Sequence, residues 1–454
     1  MVLINDLVRS LQMEKRSFSG RLDAHGLSVE ISFSVSINDS GDLVLDFECI
    51  PSSEMAAAIK DNHGEETCYF SISGNSDERI FFKTESLQLT TFYESLCGGG
   101  LKIFGECEDA ELVEKLPSSV EFPILRMYLK GLDGKNSYES KCIAGLLKVC
   151  SKGKVSCVNS IAGFIEVRAA ADILDVDEWR KQAMSVLEYV QCALSFSFAS
   201  FLRAPIIEFH GEGLLRIDLL SQPQQIKSAC PVFENKCQED FLKLALSSFH
   251  DSLLSAEQIR FVVEWFSMTS SYPEVNLIHY MTALEYLISQ KGDKEEKIKR
   301  DVEDVLMKER IKSLIGKIDE TEMINNKERS NVAKFVNERF PDTKKPSLRD
   351  NTIRLLNCWC ISFEDIDLKG MVDARNDIVH DGFYKKDKDM LLNYVAAARD
   401  LIVQLVSVAI GYSGKYYSYL GGWHEAAIVR TVFVPTQSDL RLRTRKANGS
   451  DNTF

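Results

Sequence analysis

At 454 residues the chain is too long for one ordinary core, so two or three domains are expected. Its 45% hydrophobic and 27% charged residues are those of an ordinary soluble globular protein, not a disordered or fibrous one. A net charge of −13 argues against broad coating of nucleic acid, although it leaves room for a small local anion site.

From Arg16 to about Lys130 the pattern is strand-like. Leu27, Val29, Ile31, Phe33 and Val35 alternate with polar residues. After a turn at Asn38-Asp39-Ser40-Gly41, Leu43, Leu45, Phe47 and Cys49 alternate again. Such alternation predicts a hairpin of half-buried strands. Further short strands are expected near Cys68–Ser73, Arg79–Lys83 and Leu87–Tyr93. Gly98-Gly99-Gly100 reads as a turn, because no Gly-Lys-Ser/Thr follows to make a phosphate loop. Strands at Ser160–Arg168 and Pro205–Leu220 bracket a helix from about Val176 to Phe201, with His210-Gly211-Glu212-Gly213 turning between two of them.

Residues 1–222 therefore read as a β-rich domain, followed by a linker at Ser221-Gln222-Pro223-Gln224-Gln225. From Gln238 the chain reads as helical, giving an α+β fold with a second, all-α domain at 238–425. Helices are expected at Phe241–Leu254, Ala256–Ser267, Asn276–Gln290, Lys291–Ile318, Glu328–Phe340, Arg349–Trp359, Leu368–Val379 and Lys388–Tyr412. The tail at 436–454 is polar and basic around Arg441–Lys446, and is expected to be mobile. Charge is uneven along the chain. Met1–Ala170 holds 25 acidic and 17 basic residues, whereas Lys291–Asp350 holds 14 acidic and 16 basic.

The twelve cysteines are scattered with no CxxC pair, and Cys358-Trp359-Cys360 is spaced wrongly for a zinc knuckle. Reduced thiols in a cytoplasmic protein are the expectation, with no metal and no cofactor. The first residues lack a basic region followed by a long apolar one, so no signal peptide is read. Tyr394–Tyr412 is the most apolar stretch. It contains Arg399, Asp400 and Gln404, so it reads as a buried helix and not a membrane span.

The chemically pointed string is Arg375-Asn376-Asp377-Ile378-Val379-His380, just before Asp381-Gly382. Arg offers a planar fork of donors to a phosphate, and His moves protons near neutral pH. Five positions on an ideal helix amount to about 140°, so the two side chains do not share a face. They converge if the helix frays at His380, where Gly382 offers a left-handed stop, or if two copies of the motif meet across a dimer.

This string resembles the HEPN superfamily, most closely the Apea-like HEPN group of prokaryotic defence proteins. A second matching segment is Asn276–Ile288, with Ala283-Leu284-Glu285 in its middle, and the resemblance covers roughly Gln238 to Tyr412. It implies an all-α HEPN-like bundle behind a β-rich sensor, acting as a metal-independent endoribonuclease. It also implies a homodimer or higher assembly, an RNA substrate, an abortive-infection role and a phage trigger that the residues do not name. Catalysis would fall to Arg375 and His380, supported by Asn376 and Glu285.

Each residue also has a plainer reading. Arg375 could form an ion pair with Asp373, Asp377 or Glu285, and His380 could cap its helix against the dipole. Asn376 could bond only backbone. Glu285, on the stripe Ile278, Met281, Leu284 and Ile288, would then be one half of a structural salt bridge. Tyr412, Tyr416, Tyr417 and Tyr419 could stack bases or simply pack. Leu401, Leu405 and Val408 are expected to contribute to a dimer face. The alternative function is a noncatalytic dimerisation or RNA- or nucleotide-binding module.

Overall fold

The computed structural model describes residues 16–428, apart from 25, 38–42, 62–69, 78, 95–100, 117–121, 133–136, 152–160, 171–172, 174, 222–230, 250–253 and 292–346. Strands dominate to Leu220 and helices follow, so the fold is α+β. Contacts divide the chain into two compact units. One is Met1–Thr269 with Ala409–Tyr417, and the other is Ser270–Val408 with Ser418–Phe454.

The first unit carries one antiparallel sheet of 13 strands. Seven belong to its first half: β1 (Arg16–Ala24), β2 (Leu27–Ile37), β3 (Leu43–Cys49), β4 (Phe70–Asn75), β5 (Ile80–Glu94), β6 (Leu101–Cys107) and β7 (Asp109–Lys115). Six belong to its second: β8 (Ile124–Lys130), β9 (Ser137–Cys142), β10 (Gly145–Ser151), β11 (Ile161–Arg168), β12 (Ile206–Gly211) and β13 (Leu214–Leu220). The order is β4-β1-β2-β3-β6-β5-β7-β13-β12-β8-β11-β10-β9, and β4 also pairs with β5, which closes six strands into a barrel. The 15-residue β5 makes both arrangements compatible. One edge pairs with β4, while the other pairs with β7 through Ile80–Lys83 and with β6 through Leu87–Glu94.

Alternation explains the core. Phe18, Leu22, Ile31, Phe33, Val35, Leu45, Phe47, Phe82 and Ile103 all point inward and are buried. Phe18, Phe33 and Phe82 meet with ring centroids 5.2–5.5 Å apart. Closure brings Gly20 opposite Gly74, and a Cβ on Gly20 would lie 2.0 Å from the Ser73 carbonyl oxygen. Only glycine permits that backbone approach.

The second half of the sheet is covered by helix α2 (Val176–Ser197); a short α1 (Ser53–Asp61) lies earlier in the chain. The Asp175 carboxylate caps α2 by accepting from the Glu178 N–H, and Trp179 Nε1 donates to the Ala144 carbonyl at 2.8 Å. Helix α2 packs on β8 and β11, and on helices α3 (Asn235–Ser247) and α4 (Ala256–Ser267). That packing is why the units divide at Thr269, not between 222 and 238, and why α3 and α4 join the sheet.

The second unit contains α5 (Pro273–Lys291), α6 (Leu348–Cys358), α7 (Leu368–Asp381) and most of α8 (Lys388–Ile410). Helices α5, α6 and α7 pack on one another. Helix α8 is long and apolar enough to cross a membrane, but 78% of its most apolar window is buried within the fold. Leu401 and Leu405 are fully buried and Val408 nearly so. Their expected place on a dimer face is therefore corrected: they are filled by the chain's own packing. Helices expected at Lys291–Ile318 and Glu328–Phe340, the glycine turn at 98–100 and the basic tail lie outside the described residues.

Candidate functional site

The motif sits on α7, whose placement follows from local chemistry. Asp367 caps its start, accepting from the Gly370 N–H at 2.9 Å, and the Tyr394 hydroxyl donates to the same carboxylate at 3.2 Å. A Cβ on Gly370 would lie 2.1 Å from that hydroxyl, so glycine is what lets α7 approach Tyr394 of α8. Burial, followed by the Asp367 charge, pushes the Tyr394 phenol up to about 12, keeping it a donor. Leu368, Met371, Ala374 and Ile378 form the buried face of α7. Arg375 and Asn376 are consequently half-buried at its margin, and His380 lies on the opposite, exposed side.

Arg375 reaches across to α5. Its Nη2 lies 2.9 Å from Glu285 Oε1, and its Nη1 donates to Asn376 Oδ1 at 3.2 Å. Of the three carboxylates within reach by sequence, Glu285 is thus the one at the guanidinium. Glu285 is about one-third exposed, not buried in the apolar stripe, because it and Ile278 occupy the outer arc of α5 while Leu277, Met281 and Leu284 fill the inner one. Among the described residues, the guanidinium thus has one carboxylate and one amide oxygen on it, of the five N–H groups an arginine can offer.

His380 is not brought to Arg375. Helix α7 does not fray at that point. It continues to Asp381 and ends at Gly382 in the left-handed region (φ 82°), whose N–H donates to the Ile378 carbonyl at 2.8 Å. The single-chain route to convergence is therefore absent. Close to His380 in the chain, Val379 (52% exposed) and Phe383 (53%) are exposed apolar side chains, and the nearby Lys385 pairs with Asp381 at 2.8 Å and Lys386 with Asp377 at 3.8 Å.

The first unit holds a polar centre that sequence patterning misses. Arg126 on β8 stands between Glu166 on β11 and Glu208 on β12, its direct cross-strand neighbours. Its Nε donates to Glu166 at 2.9 Å and its Nη1 to Glu208 at 3.0 Å and to the Tyr128 hydroxyl at 3.1 Å. Tyr128 in turn donates to Glu208 at 2.6 Å, and His210 shares a hydrogen bond with the same carboxylate. His210 is thus a strand residue, and the turn itself is Glu212-Gly213, both with positive φ. Burial opposes ionisation of Glu208, but the His210 hydrogen bond, the Arg126 charge and the Tyr128 hydroxyl outweigh it and hold the carboxyl below its ordinary range. The available signal was one charged residue in each of three otherwise apolar strand segments, Ile124–Leu129, Phe164–Val167 and Ile206–Phe209.

The tyrosines near the end of α8 are packing residues. Tyr412 lies edge-on to Phe233 at 5.0 Å and to Phe241 at 5.6 Å, and Tyr419 is covered by the Arg399 guanidinium at 4.5 Å. Asp400 beside it is buried and pushed up by that burial, and accepts from the Ser418 hydroxyl. Eight described cysteines are free thiols, and burial pushes Cys107 and Cys192 up to about 12. Among the described residues no three His, Cys, Asp or Glu side chains gather as a metal site. No family model, curated protein or solved structure matches the chain.

Proposed function

We propose that the chain is a metal-independent endoribonuclease of HEPN type, a toxin of anti-phage abortive infection, with Arg375 and His380 as its working residues. The observation that carries this reading is a partly exposed guanidinium on the same short helix as an exposed histidine, with the exposed Val379 and Phe383 close by in the chain. Arg375 holds the scissile phosphate. The RNA 2′-oxygen attacks phosphorus and loses its proton to a base. The bond from phosphorus to the 5′-oxygen breaks, and an acid protonates the leaving oxygen. The products are a 2′,3′-cyclic phosphate and a 5′-hydroxyl. Purified protein incubated with single-stranded RNA in EDTA tests it, with the cyclic phosphate as the diagnostic end.

Arg375→Lys should abolish cleavage although it keeps the charge, because an ammonium lacks the bidentate fork. A Lys variant as active as wild type would reduce Arg375 to a point charge.

One base and one acid are needed, and the intact last turn of α7 keeps a single Arg375 and His380 apart. The reading therefore includes a homodimer that pairs two motifs about a twofold axis, with the exposed Val379 and Phe383 beside the motif at its interface. Arg375→Ala subunits mixed with His380→Ala subunits should recover part of the activity. A monomer by light scattering that cuts at full rate would sink the composite site.

The second reading is a noncatalytic dimerisation or nucleic-acid-binding module, and the occupied state of Arg375 favours it: the Glu285 contact is what a structural brace would look like. Such a module leaves RNA uncut at every protein concentration.

A further inference from the structure

A phosphate clamp with a carboxylate already on it is a clamp with no net charge. At the Arg375 site, Glu285 Oε1 sits 2.9 Å from Nη2, where an anionic oxygen of a ligand would be received. We propose that Glu285 is an internal anion that holds Arg375 in an off state, so that tight binding of the RNA backbone requires the two to part. This rests on the reading of Arg375 as a phosphate-binding residue.

Three observations support a lock over a brace. The pair is roughly one-third exposed on each side, where an ion pair contributes little stability and breaks at small cost. Each helix already buries its own apolar face, Leu277, Met281 and Leu284 on α5 and Met371, Ala374 and Ile378 on α7, so the fold does not depend on the pair. Arg126, by contrast, is held by two carboxylates and a phenol inside the protein and has no such freedom. On the other side of the guanidinium, Asn376 supplies a neutral acceptor that keeps the fork oriented when the carboxylate leaves. For a toxin the consequence is economical: the resting protein presents a neutral site on an acidic chain, and RNA is held weakly.

The test uses the full-length protein and a 2′-O-methyl oligoribonucleotide, which has the RNA backbone but cannot attack its own phosphate. Its binding is followed by fluorescence anisotropy. Glu285→Gln removes the charge and keeps the shape. It should tighten binding about tenfold, within the usual range for coupled sites. Glu285→Ala should show the same gain, which guards against an effect peculiar to the amide. In an Arg375→Ala background the gain should vanish, since the carboxylate acts through that guanidinium. Binding by both Glu285 variants no tighter than wild type overturns the lock. So does a gain that persists without Arg375, which marks a general charge effect. Tighter binding that depends on Arg375, in a protein that leaves natural RNA uncut, upholds the lock and removes the nuclease reading instead.

Discussion

His380→Ala is expected to lower RNA cleavage by about 10²–10⁴ while leaving the fold intact, the usual cost of removing an essential acid or base. The rate effect is chemical: of the residues on α7, only His380 carries an imidazole, the side chain best suited to pass a proton. The stability effect should be small for three reasons. His380 is exposed, its helix is already closed by the Gly382 N–H, and a favourable contact with the helix dipole contributes roughly 0.3–1 kcal/mol. Initial rates in EDTA, taken with thermal melts of both proteins, separate the two effects. An unchanged rate ends the assignment at this residue. A collapsed melt would make His380 a cap and not a catalyst.

The second large effect lies in the other unit. Arg126→Ala should cost about 3–5 kcal/mol, because it takes the shared cation from two buried carboxylates, whereas Glu208→Ala should cost less, since Glu166 still pairs the guanidinium. Replacing Arg126, Glu166 and Glu208 together with apolar residues of similar size should be far milder, since no charge is then left unpaired. The sign of the pH dependence follows from Glu208. Its folded carboxyl lies below its ordinary range, so its stabilisation is present above the unfolded pKa and is lost as pH falls through the folded one. Urea unfolding of the full chain in mild acid and at neutral pH would measure it. Single and triple variants that melt alike would show the network to be energetically idle.

Legibility in the sequence followed the physics of burial. At Leu27–Val35 and Leu43–Cys49 one face is core and the other solvent, so alternation marks β2 and β3. In β8 the residues Met127, Tyr128, Leu129 and Lys130 are all buried, so no period-two pattern survives and the segment reads only as loosely strand-like. β9 alternates between exposed and half-buried residues at the sheet edge and leaves no apolar signal at all. Barrel closure depends on β1 pairing with β4, which brings Gly20 to Gly74 across the intervening strands, and it has no local trace. Among the helices, Ala256–Ser267 was legible from its amphipathic pattern, while the helix read at Leu368–Val379 runs on to Asp381 before the Gly382 stop. Arg375, Asn376 and His380 were visible because they lie in one short string. The Arg375–Glu285 contact spans 90 residues and was only one of three partners open to that arginine. The Arg126 network stayed hidden because a charge in a strand ordinarily faces water.

Residues 409–417 belong to the same compact unit as the sheet, and Tyr412 packs edge-on against the touching rings of Phe233 and Phe241 while the Tyr417 N–H donates to the Val232 carbonyl at 2.8 Å. On the ribosome this imposes a delay. The sheet and its helices are all synthesised by Thr269, yet their last aromatic plug is still unmade. At about 5–20 residues per second, it arrives roughly 7–30 s later. During that interval Phe233 and Phe241 lack this neighbour, and residues 270–408 all emerge before it does. Premature termination anywhere before Tyr412 would release a chain whose N-terminal unit lacks its closing piece.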